Sequence, residues 1–188
     1  VMMTDLRRNE AGYANVMGLD WRLKFMDNAL TIKGQIVHST KDGISGNGAR
    51  FNIGYLDPKW WDLNFVTGFT DDQYEINDLG FNERNDKWYY GSYGGLRKQD
   101  PWGRFLGNHL EYRFFISGRG GDGLALSKSL SIEQRNELKN YWSFGAELNM
   151  QFASYNDEDT YRDERAWVYQ SETEGYGILW FQTDKRKK

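Results

Sequence analysis

Cysteine is absent from the 188 residues, which excludes disulfides, thiolate nucleophiles and cysteine-ligated zinc together. Two separated histidines, His38 and His109, do not make a metal site. Charge of one sign is missing as well: 24 Lys+Arg stand against 27 Asp+Glu, a net charge of −3. Such a chain has no global basic field, so a dedicated nucleic-acid binder is excluded as the leading class. Proline is nearly missing, with two residues, while glycine reaches 21, a mix that suits strands and tight turns. Long apolar runs are lacking too; Ile178-Leu179-Trp180-Phe181 is among the longest, far short of a membrane-spanning helix. A transmembrane β-barrel stays open, because its strands are apolar on one face only. The start, Val1-Met2-Met3-Thr4, shows no signal-peptide pattern, and the basic end, Asp184 to Lys188, reads either as a flexible tail or as the end of a truncated or mature fragment.

What the chain does have is aromatic residues, 16% of the total, and a period of two. Tyr13, Met17, Leu19, Trp21, Leu23 and Phe25 alternate with Asp20, Arg22 and Lys24, which predicts a long strand with one apolar and one charged face. After a turn at Met26-Asp27-Asn28, Leu30, Ile32 and Ile36 continue the pattern as the return strand of a hairpin. Lys41–Gly48 reads as a glycine-rich loop, and alternation resumes through Phe51, Ile53 and Tyr55, then Trp61, Leu63 and Phe65. Two strands flank Gln99–Gly103, another runs from Trp142 to Phe152, and the last covers about Gly175–Thr183. Ser131 and Gln134 stand three apart, as in the cap of a short helix. The expected fold is one all-β antiparallel domain over 1–188 with roughly eight long strands, a polar segment at 70–86 and an acidic loop at 153–174.

A soluble antiparallel sandwich and an up-and-down transmembrane barrel both alternate, so strand length and strand ends must separate them. Spans such as Tyr13–Phe25 and Trp142–Phe152 suit the 9–11 residues or so that a tilted strand needs to cross a bilayer better than the shorter strands of sandwiches. Trp21, Trp61, Trp142 and Trp180 fall at or near segment ends, where interfacial aromatics belong. The polar positions Asp20, Arg22, Asp62, Asn64, His109, Glu111, Arg113 and Glu147 would then line a hydrated lumen. The segment 70–86, through Asn77, Asp78 and Arg84, would form a plug or constriction, with an ordinary exposed loop as the alternative.

Several stretches also resemble a known group of proteins. Asn77–Asp86 (NDLGFNERND) followed by Trp88-Tyr89-Tyr90 resembles a recurring segment of an uncharacterised bacterial family, as do Gly18–Arg22, Lys139–Trp142 and Asp159–Arg162. Members of that family carry a domain similar to family-nine carbohydrate-binding modules, followed by a region that looks like an outer-membrane β-barrel. The resemblance covers the barrel part alone and brings no catalytic motif. It implies a location in the bacterial outer membrane and the lipid bilayer as partner. It further implies additional barrel strands or an N-terminal binding domain in the parent protein, and a link to saccharides.

The expected function is thus a non-enzymatic barrel serving as membrane anchor or solute channel, with no cofactor. The alternative is a soluble sandwich that binds carbohydrate through exposed Trp60, Trp88 or Trp102. Other chemistry is weakly signalled. Gly118–Gly123 fits G-x-G-x-x-G, but no helix follows to receive a pyrophosphate, so a hairpin loop is expected there. Asp157 and Asp159 could offer oxygens to calcium, although the EF-hand order and its glycine are lacking. A hydrolase would need a carboxylate pair from Asp62, Glu111 and Glu147, at a separation that sequence does not supply.

Overall fold

The computed structural model describes residues 2–8, 12–77, 82, 84–157, 168–184 and 186, the side chains of 2–8 and 12 excepted. The strands are β1 (Met2–Arg8), β2 (Gly12–Phe25), β3 (Leu30–Lys41), β4 (Ile44–Leu56), β5 (Trp61–Thr70) and β6 (Lys87–Lys98). They continue as β7 (Phe105–Arg119), β8 (Ala125–Leu138), β9 (Ser143–Gln151), β10 (Ser154–Asn156), β11 (Tyr169–Ser171) and β12 (Glu174–Gln182). One sheet holds ten of them in the order β1 to β9 and then β12, each antiparallel to its neighbour, while β10 and β11 form a separate ribbon. The expected all-β antiparallel, up-and-down order is therefore present, with ten strands in the sheet rather than eight. β1 and β12 are its two edges and do not pair with one another.

Two expectations need correction. Lys41–Gly48 is not a loop: the turn is confined to Asp42-Gly43, both at positive φ (51° and 84°), and β4 starts at Ile44. A two-residue Asp-Gly turn twists the way adjoining strands do, so the hairpin needs no further residues. Ser131–Gln134 is not a helix start but the middle of β8, bonded on both sides to β7 and β9. Its apolar-face positions include Lys128, Gln134 and Asn136 beside Leu130 and Ile132, which blurs the alternation that sequence reading depends on. Gly118–Gly123 runs from the end of β7 into the β7–β8 hairpin turn, where a hairpin loop is expected, with Gly123 at a φ of 72°.

Because strands alternate, the register sorts the side chains onto two faces. One face carries Leu23, Ile32, Ile53, Phe65, Phe114, Leu130 and Met150 in a row of directly opposite residues, interrupted only by Ser92. Ser92 Oγ and the Tyr112 hydroxyl satisfy each other at 2.7 Å. No second sheet covers this face among the described residues. Among the described residues only Ala14 and Tyr74 are buried hydrophobic residues, while Leu19, Leu23, Phe65 and Phe114 are each 40% exposed or more. Accessible surface totals 13138 Å². A compact monomer of this mass exposes about 9,300 Å². The described residues form a large apolar face and almost no core.

The connections differ at the two ends of the sheet. Met26–Ala29, 57–60, 99–104 and 139–142 are short and lie at one end. The long connections, 71–86 and the stretch from Phe152 to Thr173 that contains the ribbon, lie at the other. Aromatic residues collar the short-turn end: Trp61 lies 4.7 Å from Tyr55, Trp102 is 5.2 Å from Phe105, and Trp142 meets Phe181 edge-on at 5.3 Å. Lys98 sits over both Trp60 and Trp102. Toward the other end, Phe69, Trp88 and Tyr90 share the apolar face, and Trp88 stacks obliquely on Tyr90.

Candidate functional site: the concave polar face

The polar face is built by the alternate residues of the same strands. All eight polar positions singled out in the sequence, namely Asp20, Arg22, Asp62, Asn64, His109, Glu111, Arg113 and Glu147, fall on this one face by register. The face is concave. Three hollows of ≈ 730, 610 and 430 Å³ open on it, each lined chiefly by its side chains.

Its charges are ordered in rows. Glu111, Glu133 and Glu147 stand directly opposite one another on β7, β8 and β9, and the same row reaches Asp62 through Gly95. Carboxylates facing each other repel, so such a row needs compensation. Arg113 pairs with Glu111, Arg135 with Glu133 at 2.5 Å, and Arg97 with Asp62 at 3.5 Å. Glu147 instead accepts a hydrogen bond from Asn149 Nδ2 at 2.6 Å. His109 lies between Arg97 and Arg135 in the adjoining row. A hydrolytic pair would require a poised acid, whereas Asp62 and Glu111 are both held in ion pairs with arginine. Asn64 lies across Gly54, where its Oδ1 occupies the space a β-carbon would need.

Residues 71–77 turn inward at the long-loop end of this face. Gly46 lies beneath it so closely that an added Cβ would sit 2.2 Å from the Tyr74 amide nitrogen. Ser39 Oγ accepts the Glu75 N–H at 3.0 Å, and Asp71 Oδ2 accepts the Asn47 N–H at 2.7 Å. Tyr74 is buried against Gly48, and that burial raises its hydroxyl pKa above the usual tyrosine range. Gly46→Ala is therefore expected to push the 71–77 stretch off the sheet, because backbone cannot yield as a flexible side chain would. A cost of about 1–3 kcal/mol should follow, with new proteolytic cleavage between 71 and 86.

Of the expected plug residues, Arg84 is the one that reaches across. Its guanidinium makes two hydrogen bonds to Asp157, at 2.7 and 2.6 Å, and Arg119 at the end of β7 adds a third at 3.3 Å. Asp157 is only 3% exposed. Its oxygens are taken up by arginine, so the calcium reading of Asp157 is replaced by an ion pair; Asp159 lies outside the described residues. The Asn77 N–H bonds Glu75 Oε1, and Asn77 Oδ1 accepts the Asn82 N–H, both at 2.7 Å. Asp78 lies outside the described residues. Ser39, Tyr74, Arg119 and the pairing role of Asp157 were not legible in sequence, since their partners lie far along the chain.

The Arg84 hydrogen bonds, aided by the charges of Arg84 and Arg119, hold the Asp157 carboxyl below the usual carboxylate range against its burial. A folded-state pKa below the unfolded value of about 3.9 stabilises the tie above that pH. The stabilisation is lost as pH falls through the folded pKa. The two long connections should accordingly stay joined at neutral pH, begin to loosen below about pH 4 and separate as pH falls through the lower folded-state pKa, read as rising hydrogen exchange in 71–77 and 152–157.

The tryptophans divide between the faces. Trp61 and Trp142 belong to the aromatic collar, and Trp21 lies on the apolar face over Gly34, mid-sheet rather than at an end. Trp180 points the other way: it shares the polar-face row of Arg135 and covers Gly145, which corrects its expected place among interfacial aromatics.

A family model described as a domain of unknown function (DUF5916) matches residues 3–188. No curated protein and no solved structure matches the chain.

Proposed function

For a chain that belongs to the DUF5916 family, we propose a β-barrel, or the larger part of one, that sits in the bacterial outer membrane as an anchor or solute channel. The observation that carries this reading is the apolar face without a core. Lipid can cover such a face where the described protein does not, while the antiparallel ladder satisfies backbone polar groups from within. The collar of Trp61, Trp102 and Trp142, together with Phe69, Trp88 and Tyr90 toward the other end, suits two membrane interfaces. Short turns at one end and long connections at the other match the asymmetry of outer-membrane barrels. Three amides on the apolar side satisfy one another near the short-turn end: Trp102 Nε1 bonds Asn108, Asn108 bonds Asn136, and Asn136 exchanges bonds with Gln134. That arrangement lowers the cost of placing them near hydrocarbon.

The register supports closure as well. The row of opposite residues that starts at Glu174 on β12 crosses Phe115, Val66 and Lys33 and meets β2 at Arg22, past Gly18, which faces the start of β1. Joining β1 to β12 therefore needs a stagger of about twelve residues around ten strands, equivalent to a tilt of about 40°, within the range of closed barrels. With ten alternating strands the two edges run antiparallel, as pairing requires. At that stagger Asp5 faces Leu179. In this cysteine-free chain, Asp5→Cys with Leu179→Cys should form an intramolecular disulfide in detergent, and the unboiled protein should migrate differently from the boiled one on a gel. Partition into buffer without detergent as a monomer would refute the membrane reading.

Within such a barrel the polar face is the lumen, and the 71–86 connection tied by Arg84 to Asp157 narrows one mouth. The saccharide link implied by the family resemblance has one candidate platform on this face, Trp180 at the edge of the ≈ 730 Å³ hollow.

A further inference from the structure

The charges of the concave face are not distributed evenly between its two sides. On β5 to β9 the cations Arg97, Arg113 and Arg135 are each held by a carboxylate of the acidic row. On β2 to β4 the face carries Arg22, Lys24, Lys33, Lys41 and Arg50, with Asp20 as the one carboxylate on these strands. Arg22, Lys24, Lys33 and Arg50 take part in no ion pair or hydrogen bond among the described residues. Arg22 and Lys33 stand directly opposite each other in the register, with Arg50 one row away beside Gln35. Like charges directly opposite destabilise a strand pair. The opposing wall neutralises its repulsion with partners in place; this one leaves it uncompensated.

The same three cations surround a hollow of ≈ 430 Å³ completed by Asp20, Gln35, Asn52 and Tyr93. Arg22, Lys33 and Arg50 outweigh Asp20 there, and Gln35, Asn52 and Tyr93 add neutral hydrogen-bonding groups. Asn52 spends one Nδ2 hydrogen on the Phe65 carbonyl at 2.9 Å, and the second hydrogen of that amide nitrogen can donate to an anion. Guanidinium and ammonium groups converging on a concave surface recognise oxyanions: arginine through its planar fork, lysine as a point charge.

We propose that this hollow binds a small solute carrying two or more oxyanion groups, carboxylate or phosphate. The binding needs the concavity and its cations but not the membrane, so it stands or falls separately from the barrel reading. If the face is a lumen, the wall of β2 to β4 becomes the track along which anions pass, opposite a wall whose acidic row repels them.

The test is calorimetric titration of the full chain, in whatever solvent keeps it folded, with citrate in one arm and tripolyphosphate in the other. At low salt either anion should bind, the stronger arm identifying the group preferred, and affinity should fall as salt rises. The triple variant Arg22→Gln, Lys33→Gln, Arg50→Gln should weaken binding by about tenfold or more. Removing mutual repulsion should leave it at least as stable as the parent. Lys33→Gln alone should give a smaller loss, and Glu133→Gln on the far wall should cause none. Absence of binding of both anions at millimolar concentration in folded protein would overturn the proposal, as would equal affinity in the triple variant. Anion binding by a protein that proves soluble would sink the barrel reading and leave this one standing.

Discussion

Phe65→Arg should destabilise the protein in lipid vesicles by about 2–4 kcal/mol, the cost of a cation near the middle of a bilayer. Phe65 is 48% exposed and lies midway along β5, between Trp61 and Phe69 on the apolar face. If water covered that face, an exposed aromatic replaced by arginine would change stability by about 0.5 kcal/mol or less. The two solvents thus predict effects several-fold apart from one substitution. A second position on the same strand sharpens the comparison. Phe69→Arg, near the long-loop end, should cost only about 0–1 kcal/mol, because penalties fall toward the interface. Urea unfolding of both variants in vesicles reads the depth dependence directly. Equal, small effects at the two positions would argue that no hydrocarbon meets this face.

Asp157→Asn should produce the second large effect, and a local one. The substitution preserves shape but removes the carboxylate charge that Arg84 and Arg119 share, at 2.6 and 3.3 Å. Breaking one partner of a buried pair costs about 3 kcal/mol or more. Since Asp157 joins the end of β10 to the 71–86 connection and to β7, the loss should appear as opening of that end of the molecule. The sheet itself rests on its backbone ladder and should keep its strand content by circular dichroism. Protease sites should appear within 71–86 in Asp157→Asn and in Arg84→Ala, and the Arg84→Ala, Asp157→Ala double variant should cost less than the sum of its singles. If conductance is measured, the same variants should pass larger currents than the parent. Unchanged protease resistance in both single variants would remove the tie from the account.

A smaller charge feature marks the opposite case. Asp122 in the β7–β8 turn has its pKa lowered to about 2, first by the Arg119 hydrogen bond and then by the Leu124 N–H, yet it is an exposed surface residue. Its pairing with Arg119 orders a hairpin in water and should matter little to stability.

Sequence alone settled the strand class, since alternation with period two is a property of consecutive residues. It also settled which residues share a face, because every polar position from Asp20 to Glu147 kept its parity through the sheet. Parity fails only where the pattern itself is weak. β8 places Lys128, Gln134 and Asn136 among its apolar-face positions, so Ser131–Gln134 looked like a helix cap until pairing with β7 and β9 decided otherwise. Trp180 was misplaced for a related reason: Ile178-Leu179-Trp180-Phe181 is apolar on both parities, and only the register with β9 assigns the tryptophan to the polar side.

What the tertiary structure alone decided are the meetings of distant segments. Arg84 and Asp157 are 73 residues apart, and Glu75 reaches Ser39 across 36. No local pattern encodes such pairs, because they depend on where a curved sheet brings its loops together. Chain chemistry chooses the element and its two faces; the path of the whole sheet chooses the neighbours.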